Sequence, residues 1–248
     1  MQVRINSYLR AVAPLGRESE HVGPFLATFT PTADLVYLNY AIPDDDARPS
    51  EEDVQTLIRW FQARQRKPRL EYVTAEAPEV EVVLLAAGFS VEGRLPLMVW
   101  QHDSSSTLPE AIELLVPISD EDLFSMLEVT NEAYGSPAPP SRDDVTHARW
   151  ALAHGSGAVI ARDLTNDKVV GAGRFPPVVD GLTEVASIGV AMSHRRRGIG
   201  QALARRLALE AASFGATTPF LTAEHEAEAR IYERAGFRHV SQILHISR

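Results

Sequence analysis

The chain contains no cysteine, and this absence excludes several kinds of chemistry. Without a thiol there is no disulfide framework, no cysteine-ligated zinc and no acyl-cysteine intermediate. Long hydrophobic runs are missing as well, because the longest aliphatic stretch, residues 82–87, is far too short to span a bilayer. Residues 1–10 lack the apolar core of a secretion signal. We therefore expect a cytoplasmic protein that does not interact with membranes.

Basic residues are also in the minority, with 24 Lys and Arg against 33 Asp and Glu and a formal net charge of −9. This charge argues against non-specific nucleic-acid binding and allows weak attraction of cationic substrates. The hydrophobic content of 45% is ordinary for a globular protein, and 248 residues suffice for one large or two modest domains.

Against this acidic background, one basic segment near the C-terminus stands out. The apolar stretch 187–190 is followed by Arg195-Arg196-Arg197-Gly198-Ile199-Gly200, and an amphipathic helical run begins at Gln201. The start of a helix leaves backbone N–H groups without intrahelical partners, and the helix dipole adds partial positive charge there. Glycine lets the main chain approach an anion closely, and arginine supplies forked donors. The segment predicts a turn that binds a pyrophosphate.

Two other phosphate-binding motifs fit this segment poorly. A P-loop needs a Gly-Lys-Ser/Thr ending, which is absent. A dinucleotide fingerprint needs a third small residue where Leu203 stands, and it belongs near the start of a βαβ unit.

The pattern Arg195-x-x-Gly198-x-Gly200 resembles motif A of the GCN5-related N-acetyltransferase (GNAT) superfamily, Arg/Gln-x-x-Gly-x-Gly/Ala after the fourth strand. Downstream, residues 219–223 predict a strand, 226–235 a helix, and Gly236-Phe237 the break before a last strand pair. This order resembles motif B of the same superfamily, in which a tyrosine about four residues before Gly-Phe faces the thioester. Tyr232 occupies that place. The resemblance covers roughly the last 135 residues, a typical length for one domain.

Motif B has a counterpart in the first half of the chain. Thr74-Ala75-Glu76 and Gly88-Phe89 recur 148 positions later as Thr222-Ala223-Glu224 and Gly236-Phe237. Residues 35–41 predict the fourth strand of this first copy, and Ser50 caps a helix. The turn between them, residues 43–49, has no glycine, three aspartates and two prolines, so it would repel a phosphate.

The predicted fold class is therefore α/β (α+β): two tandem GNAT-like domains, each a mixed, mostly antiparallel sheet flanked by helices. Residues 1–103 would form a degenerate domain without a cofactor loop, and residues 110–248 the catalytic domain. The polar, serine-rich stretch 101–109 would link them. In the second domain we expect a continuous strand over 182–191 and a proline-rich loop, 134–140, that covers the acceptor or simply connects two helices.

The resemblance implies acetyl-CoA as cosubstrate, with its pantetheine arm pairing along 188–190, and no metal. The residues expected to bind it are Ile188, Gly189, Val190, Arg195, Arg196, Arg197, Gly198, Ile199, Gly200, Gln201 and His225. Gly189 would suit a bulge in the strand. His225 could instead act as a base or lie on the surface.

Two residues are candidates for proton transfer. Glu184 would be the base, because strand alternation places it on the face of Ala186 and Ile188, although a solvated strand end or a water chain is an alternative. Tyr232 would protonate the leaving thiolate, since a phenol is still a donor at neutral pH.

The expected activity is direct transfer of an acetyl group to a primary amine of a small molecule. A mycothiol-synthase-like enzyme is a variant within this class, and a non-catalytic acyl-CoA-binding sensor or assembly module is the alternative. Nucleic acid is not an expected partner, and homodimerisation stays open.

Overall fold

A computed structural model describes residues 5–30, 38–101, 108–136 and 138–248. The chain divides into two compact units. The N-terminal unit consists of Met1–Leu97 together with Ser241–Arg248, and the C-terminal unit consists of Met98–Val240.

The N-terminal unit is a mixed sheet with helices. Its helices are α1 (Ile5–Val12), α2 (Glu51–Ala63) and α3 (Val80–Ala86). Its strands are β1 (Glu18–Val22), β2 (Phe25–Phe29), β3 (Ala41–Pro43), β4 (Arg69–Val73) and the first part of β5 (Ser90–Trp100). β1, β2 and β3 are antiparallel neighbours, and β3 runs parallel to β4. Residues 243–247 then pair antiparallel with β4, with Ile243 opposite Val73.

Helix α2 begins where the sequence predicts. The Ser50 side chain accepts the Asp53 N–H, and the Asp53 carboxylate accepts the Ser50 N–H, which completes a capping box. The four apolar residues of its stripe, Val54, Leu57, Ile58 and Phe61, are all buried. The sequence predicts a strand over 35–41, but β3 lies further along the chain, over Ala41–Pro43. Residues 31–37 lie outside the described residues.

The C-terminal unit contains four helices and a second sheet among its described residues. The helices are α4 (Asp120–Ala133), α5 (Arg142–Ala153), α6 (Ile199–Ser213) and α7 (Glu226–Arg234). The strands are β6 (Ile112–Leu115), β7 (Gly157–Asp163), β8 (Lys168–Phe175), β9 (Leu182–Glu184), β10 (Ala186–Val190), β11 (Thr218–Thr222) and the start of β12 (Phe237–Ser247). The sheet order is β10-β8-β7-β6, all antiparallel, and β9 pairs in parallel with β11.

Two apolar layers hold helices against this sheet. Helix α6 buries Leu203 and Leu207 in one cluster with Val159 of β7. Helix α4 buries Leu123 and other apolar residues in a second cluster that contains Ile160, the next residue of β7. Because successive strand residues point to opposite faces, one strand serves both layers. The start of α6 is thereby fixed at one end of the sheet.

Two predicted elements of this unit are wrong in detail. The strand expected over 182–191 is broken into β9 and β10, which lie in different sheets. Ser187 has φ +55°, in the left-handed region, and the register of β10 shifts between Ala186 and Gly189. The strand pair expected after Gly236 is instead the single eleven-residue strand β12.

The predicted fold class is confirmed, because mixed, mostly antiparallel sheets are flanked by helices. The domain limits 1–103 and 110–248 stay predictions, although Ser241–Arg248 groups with the N-terminal unit. Of the expected linker, residues 102–107 lie outside the described part of the chain. Within the described ranges, no helix combines the length and the apolar character needed to cross a membrane.

Candidate functional site

A β-bulge shapes the strand that precedes the basic turn. Ala186 pairs with Arg174 and Gly189 with Ala172, so β10 carries an extra residue relative to β8. Gly189 has a different role from the one expected, because a Cβ there would lie 2.9 Å from the Ala133 Cβ. The glycine lets α4 approach β10 closely, whereas the bulge is made by the left-handed Ser187.

The turn into α6 has the geometry of an anion site. Gly198 is the N-cap, with φ +81°, a conformation that other residues adopt at a cost. Ala202 N–H donates to the Gly198 carbonyl at 3.0 Å, so the N–H groups of the three residues before Ala202 have no partner within the helix. A Cβ added at Gly200 would lie 3.9 Å from its nearest neighbour, Val190 Cγ2, which is ordinary contact. Packing within the protein therefore does not require a glycine at position 200.

The arginines of this turn divide into two kinds. Arg195 Nε donates to the Val190 carbonyl at 3.1 Å, and its Nη2 to the Ala133 carbonyl at 3.4 Å. This guanidinium therefore ties β10 and the end of α4 to the turn. Arg196 and Arg197 are exposed, and Arg196 has φ +61°. These two side chains remain available for an anion.

Two further predicted cofactor residues have structural contacts. Ile199 is buried in the core and anchors the first turn of α6. Gln201 Nε2 donates to the Arg234 carbonyl at 3.0 Å, which links α6 to the end of α7. Ile199 and Gln201 would therefore bind a ligand through their backbone N–H groups at the start of α6.

A hydrogen bond that the sequence does not indicate fixes the approach to this turn. His194 Nε2 lies 3.1 Å from Asp163 Oδ2, at the end of β7. Hydrogen bonds from the Thr165 hydroxyl and N–H, and then from His194, lower the pKa of Asp163 to about 2. No local signal joins residues 31 positions apart. Only the tertiary structure shows that His194 holds the turn.

Two tyrosines lie close to the bulge. Tyr134, at the end of α4, donates its hydroxyl to the Ile188 carbonyl at 3.3 Å. Burial raises the pKa of Tyr232, and the carboxylates of Glu228 and Glu224 and the Tyr134 phenol raise it further. Tyr232 therefore keeps its proton at neutral pH. Its ring also meets Phe237 edge-on, with centroids 6.3 Å apart.

The same carboxylates act on Tyr134. Partial desolvation of the hydroxyl raises the pKa of this phenol although the residue as a whole is 64% exposed, Glu228 and Glu224 raise it further, and Arg174 acts in the opposite direction. Glu224 and Glu228 therefore act on both phenols, and Arg174 acts on Tyr134. Sequence reasoning had placed Tyr134 only in the loop 134–140, of which Pro137 lies outside the described residues.

Glu184 and Ile188 lie on different strands, β9 and β10, so the predicted placement on one strand face is wrong. Strand alternation does not extend from Glu184 to Ile188, because the strand is interrupted at Val185 and Ser187 has a left-handed backbone conformation. Glu184 ends β9 half-buried and faces Phe220 of β11 in the ladder. Its role as base stays a prediction.

His225 is exposed and is the N-cap of α7, without a side-chain capping bond. Its ring nitrogen lies within 4.8 Å of carboxylate oxygens of Glu224 and Glu228. Glu228 Oε2 accepts the Glu224 N–H at 2.9 Å, so the Glu228 carboxylate stabilises the segment that enters α7. The cofactor contact predicted for His225 stays a prediction.

Residues 123–237 match the profile of the family described as "Acetyltransferase (GNAT) family". The matched range contains the bulge, the basic turn and Tyr232, so the similarity to this family falls on the candidate site. No curated protein matches the chain at a significant level.

Solved structures share the fold over nearly the whole chain. A GCN5-related N-acetyltransferase from Kribbella flavida is 24% identical, with a TM-score of 0.77 over 99% of this chain and 96% of that one. One from Sphaerobacter thermophilus is 16% identical, with a TM-score of 0.71 over 100% and 86%. A tandem GNAT protein from the clavulanic acid biosynthesis pathway is 12% identical, with a TM-score of 0.65 over 90% and 78%. At these identities the likeness establishes the fold alone.

Proposed function

We propose that the protein is an acetyl-CoA-dependent N-acetyltransferase that transfers the acetyl group directly to a primary amine of a small molecule. The observation that carries this proposal is the start of α6, where a left-handed Gly198 opens unpaired helix N–H groups beside two exposed arginines. Backbone N–H groups at a helix start, together with arginine, favour a pyrophosphate.

The residues near the bulge fit the chemistry of acyl transfer. Acetyl-CoA would supply a thioester carbonyl, which a backbone N–H near Val190 would polarise. The amine nitrogen attacks that carbon, the C–N bond forms, and the C–S bond breaks. Tyr232 would give its proton to the departing thiolate, since its raised pKa keeps it protonated. Glu184 or a water chain would take the proton from the amine.

The charge around the tyrosines supports an amine as the acceptor. Glu224 and Glu228 disfavour ionisation of both phenols, and these two carboxylates outnumber the single cation Arg174 that acts on Tyr134, so we infer a net negative potential near the two hydroxyls. A protonated amine is attracted there before it loses its proton.

The test is binding and turnover with paired arginine variants. We expect calorimetry to detect coenzyme A binding, and Arg196→Gln with Arg197→Gln to weaken it about ten-fold or more, because charge-assisted contacts are lost. The weakening should diminish at high salt. Arg142→Gln, an exposed arginine at the start of α5, is the matched control and should bind as the unaltered protein does.

Turnover distinguishes the enzyme from a binding module. Release of free thiol from acetyl-CoA with a panel of small amines supports the enzyme. Tight binding without thiol release for any amine would favour the non-catalytic sensor or assembly module. No heat with coenzyme A at millimolar concentration would refute both.

A further inference from the structure

Helix α1 lies across the carboxyl ends of β3 and β4 in the N-terminal unit. These strands form a parallel pair with a single ladder position, Ala41 opposite Leu70. Three of the eight residues of α1, Ile5, Asn6 and Tyr8, are at most 3% exposed. An apolar helix face is thus buried where two parallel strands end.

In the internal repeat of the chain, the ends of β3 and β4 correspond to the ends of β10 and β11, near which we propose that the thioester of acetyl-CoA binds. β3 precedes α2 and β4 follows it, as β10 precedes α6 and β11 follows it. The 148-residue offset aligns Ala41–Pro43 with residues 189–191, the last two residues of β10 and the one that follows. The same strand ends that would hold an acyl-CoA in the C-terminal unit hold a helix in the N-terminal unit.

The polar contacts of Asn6 are those that an amide-bearing ligand would make. Its Oδ1 accepts the Val73 N–H at 2.8 Å, and its Nδ2 donates to the Val73 carbonyl at 3.2 Å. Asn6 is fully buried, so this two-point contact satisfies the end of β4 without water. Glu76 caps the helix by accepting the N–H groups of Ile5 and Asn6 at 2.9 and 2.8 Å.

The acidic turn holds the other end of the helix. Arg10 donates to the Pro43 carbonyl and lies 2.8 Å from Asp45 Oδ1. Ser7 Oγ donates to Asp45 Oδ2 at 2.8 Å. Carboxylates in a turn that would repel a phosphate therefore bind a cation of the chain itself.

We propose that α1 is the resident ligand of the N-terminal unit's cleft, which recognises an amide and a guanidinium on a helix in place of a nucleotide cofactor. Asn6 and Arg10 supply these two groups, and the strand ends together with Asp45 receive them. The inference uses the proposed function only for the identity of the ligand that α1 replaces.

The absence of native cysteine allows a direct test with single introduced thiols. Leu9→Cys places a thiol at a buried position of α1, and Ala11→Cys places one at an exposed position of the same helix. In the full chain we expect the Leu9→Cys thiol to be alkylated about 100-fold more slowly, because it reacts only after local opening. Equal rates would refute a resident helix.

A second variant asks whether the named contacts hold the helix. Combining Leu9→Cys with Arg10→Gln removes the Asp45 ion pair and should speed alkylation about ten-fold. Combining it with Arg59→Gln, an exposed arginine whose Nη2 donates to Thr56 of its own helix α2, is the control and should leave the rate unchanged. Protection that survives Arg10→Gln would overturn the assignment of Arg10.

Coenzyme A supplies the last readout. A stoichiometry of one per chain, with unchanged alkylation of Leu9→Cys at saturation, supports a cleft closed to the cofactor. Two per chain, or faster alkylation with coenzyme A, would overturn the proposal. A protein that binds no coenzyme A would refute the proposed function, and the alkylation rates would still decide whether α1 is resident.

Discussion

Glu92→Gln should lower the free energy of unfolding of the N-terminal unit, although it changes only one group of the side chain. Its carboxylate lies 2.8 Å from Arg69 Nε and 2.9 Å from Lys67 Nζ, and accepts the Ser247 hydroxyl at 2.6 Å. The Arg69 side chain is only 5% exposed and keeps a second ion pair with Glu71. Glu92→Gln therefore removes one of the two carboxylates that form ion pairs with the buried Arg69 guanidinium.

The magnitude follows from the titration of this carboxyl. Burial acts to raise the pKa of Glu92, but hydrogen bonds from Ser247, Lys67 and Arg69 hold it at about 2. An ordinary glutamate titrates near 4.3, and each pKa unit is worth about 1.4 kcal/mol, so the contacts stabilise the fold by up to about 3 kcal/mol. The Glu92 side chain is 31% exposed, so water screens part of this energy. Glutamine also retains some of the hydrogen bonding, and we expect a loss of about 1–2 kcal/mol.

The sign of the pH dependence is fixed by the depressed pKa. The stabilisation is fully present above about pH 5 and is lost as the pH falls through about 2, where the folded protein also becomes protonated. Urea unfolding of Glu92→Gln and the unaltered protein should thus differ most at pH 7 and converge toward pH 2. Hydrogen exchange at β4 assigns the loss to this unit.

Glu18 is an exposed carboxylate on β1, so Glu18→Gln is the control and should leave the free energy of unfolding unchanged at both pH values. A difference for Glu92→Gln that is the same at pH 7 and near pH 2 would show that the loss is steric and that the ion pairs contribute nothing.

Three further predictions concern the C-terminal unit. Gly189→Ala should destabilise it by about 1–3 kcal/mol in urea unfolding, because the new Cβ meets Ala133 at 2.9 Å; an unchanged midpoint would refute the close approach of α4. His194→Ala removes the bond to Asp163 and should weaken coenzyme A binding several-fold in calorimetry with little loss of stability; unchanged affinity would show that the hydrogen bond does not order the turn. Tyr232→Phe should lower kcat about 100-fold or more while thermal unfolding and coenzyme A affinity stay the same, and an unaltered kcat would remove the phenol from proton transfer.

The parts of the fold that the sequence predicts well are those with local causes. Ser50 stands three residues before an aspartate and forms a complete capping box at the predicted helix start, and Ser119 and Ser141 form the same box at the starts of α4 and α5. The Gly198 turn is likewise a local matter, because a left-handed residue before a helix favours glycine.

The parts that escaped prediction depend on contacts between distant residues. The bulge in β10 is made by a left-handed Ser187, which no turn signal in the sequence indicates. The Asp163–His194 pair spans 31 positions, and the Asn6–Val73 contact spans 67. Glu184 shows the resulting error, since alternation was extended through a strand that tertiary packing interrupts. The candidate phosphate turn could be found from sequence, whereas the groups around Tyr232 could not.

The membership of Ser241–Arg248 in the N-terminal unit has a consequence for synthesis. Residues 243–247 hydrogen-bond along β4, and Ser247 reaches Glu92. A ribosome delivers these residues only after the whole C-terminal unit has been translated, so the half of the protein made first is completed last. During that interval the edge of β4 lacks its neighbour, and a chaperone that shields exposed strand edges would act on the nascent chain at this point.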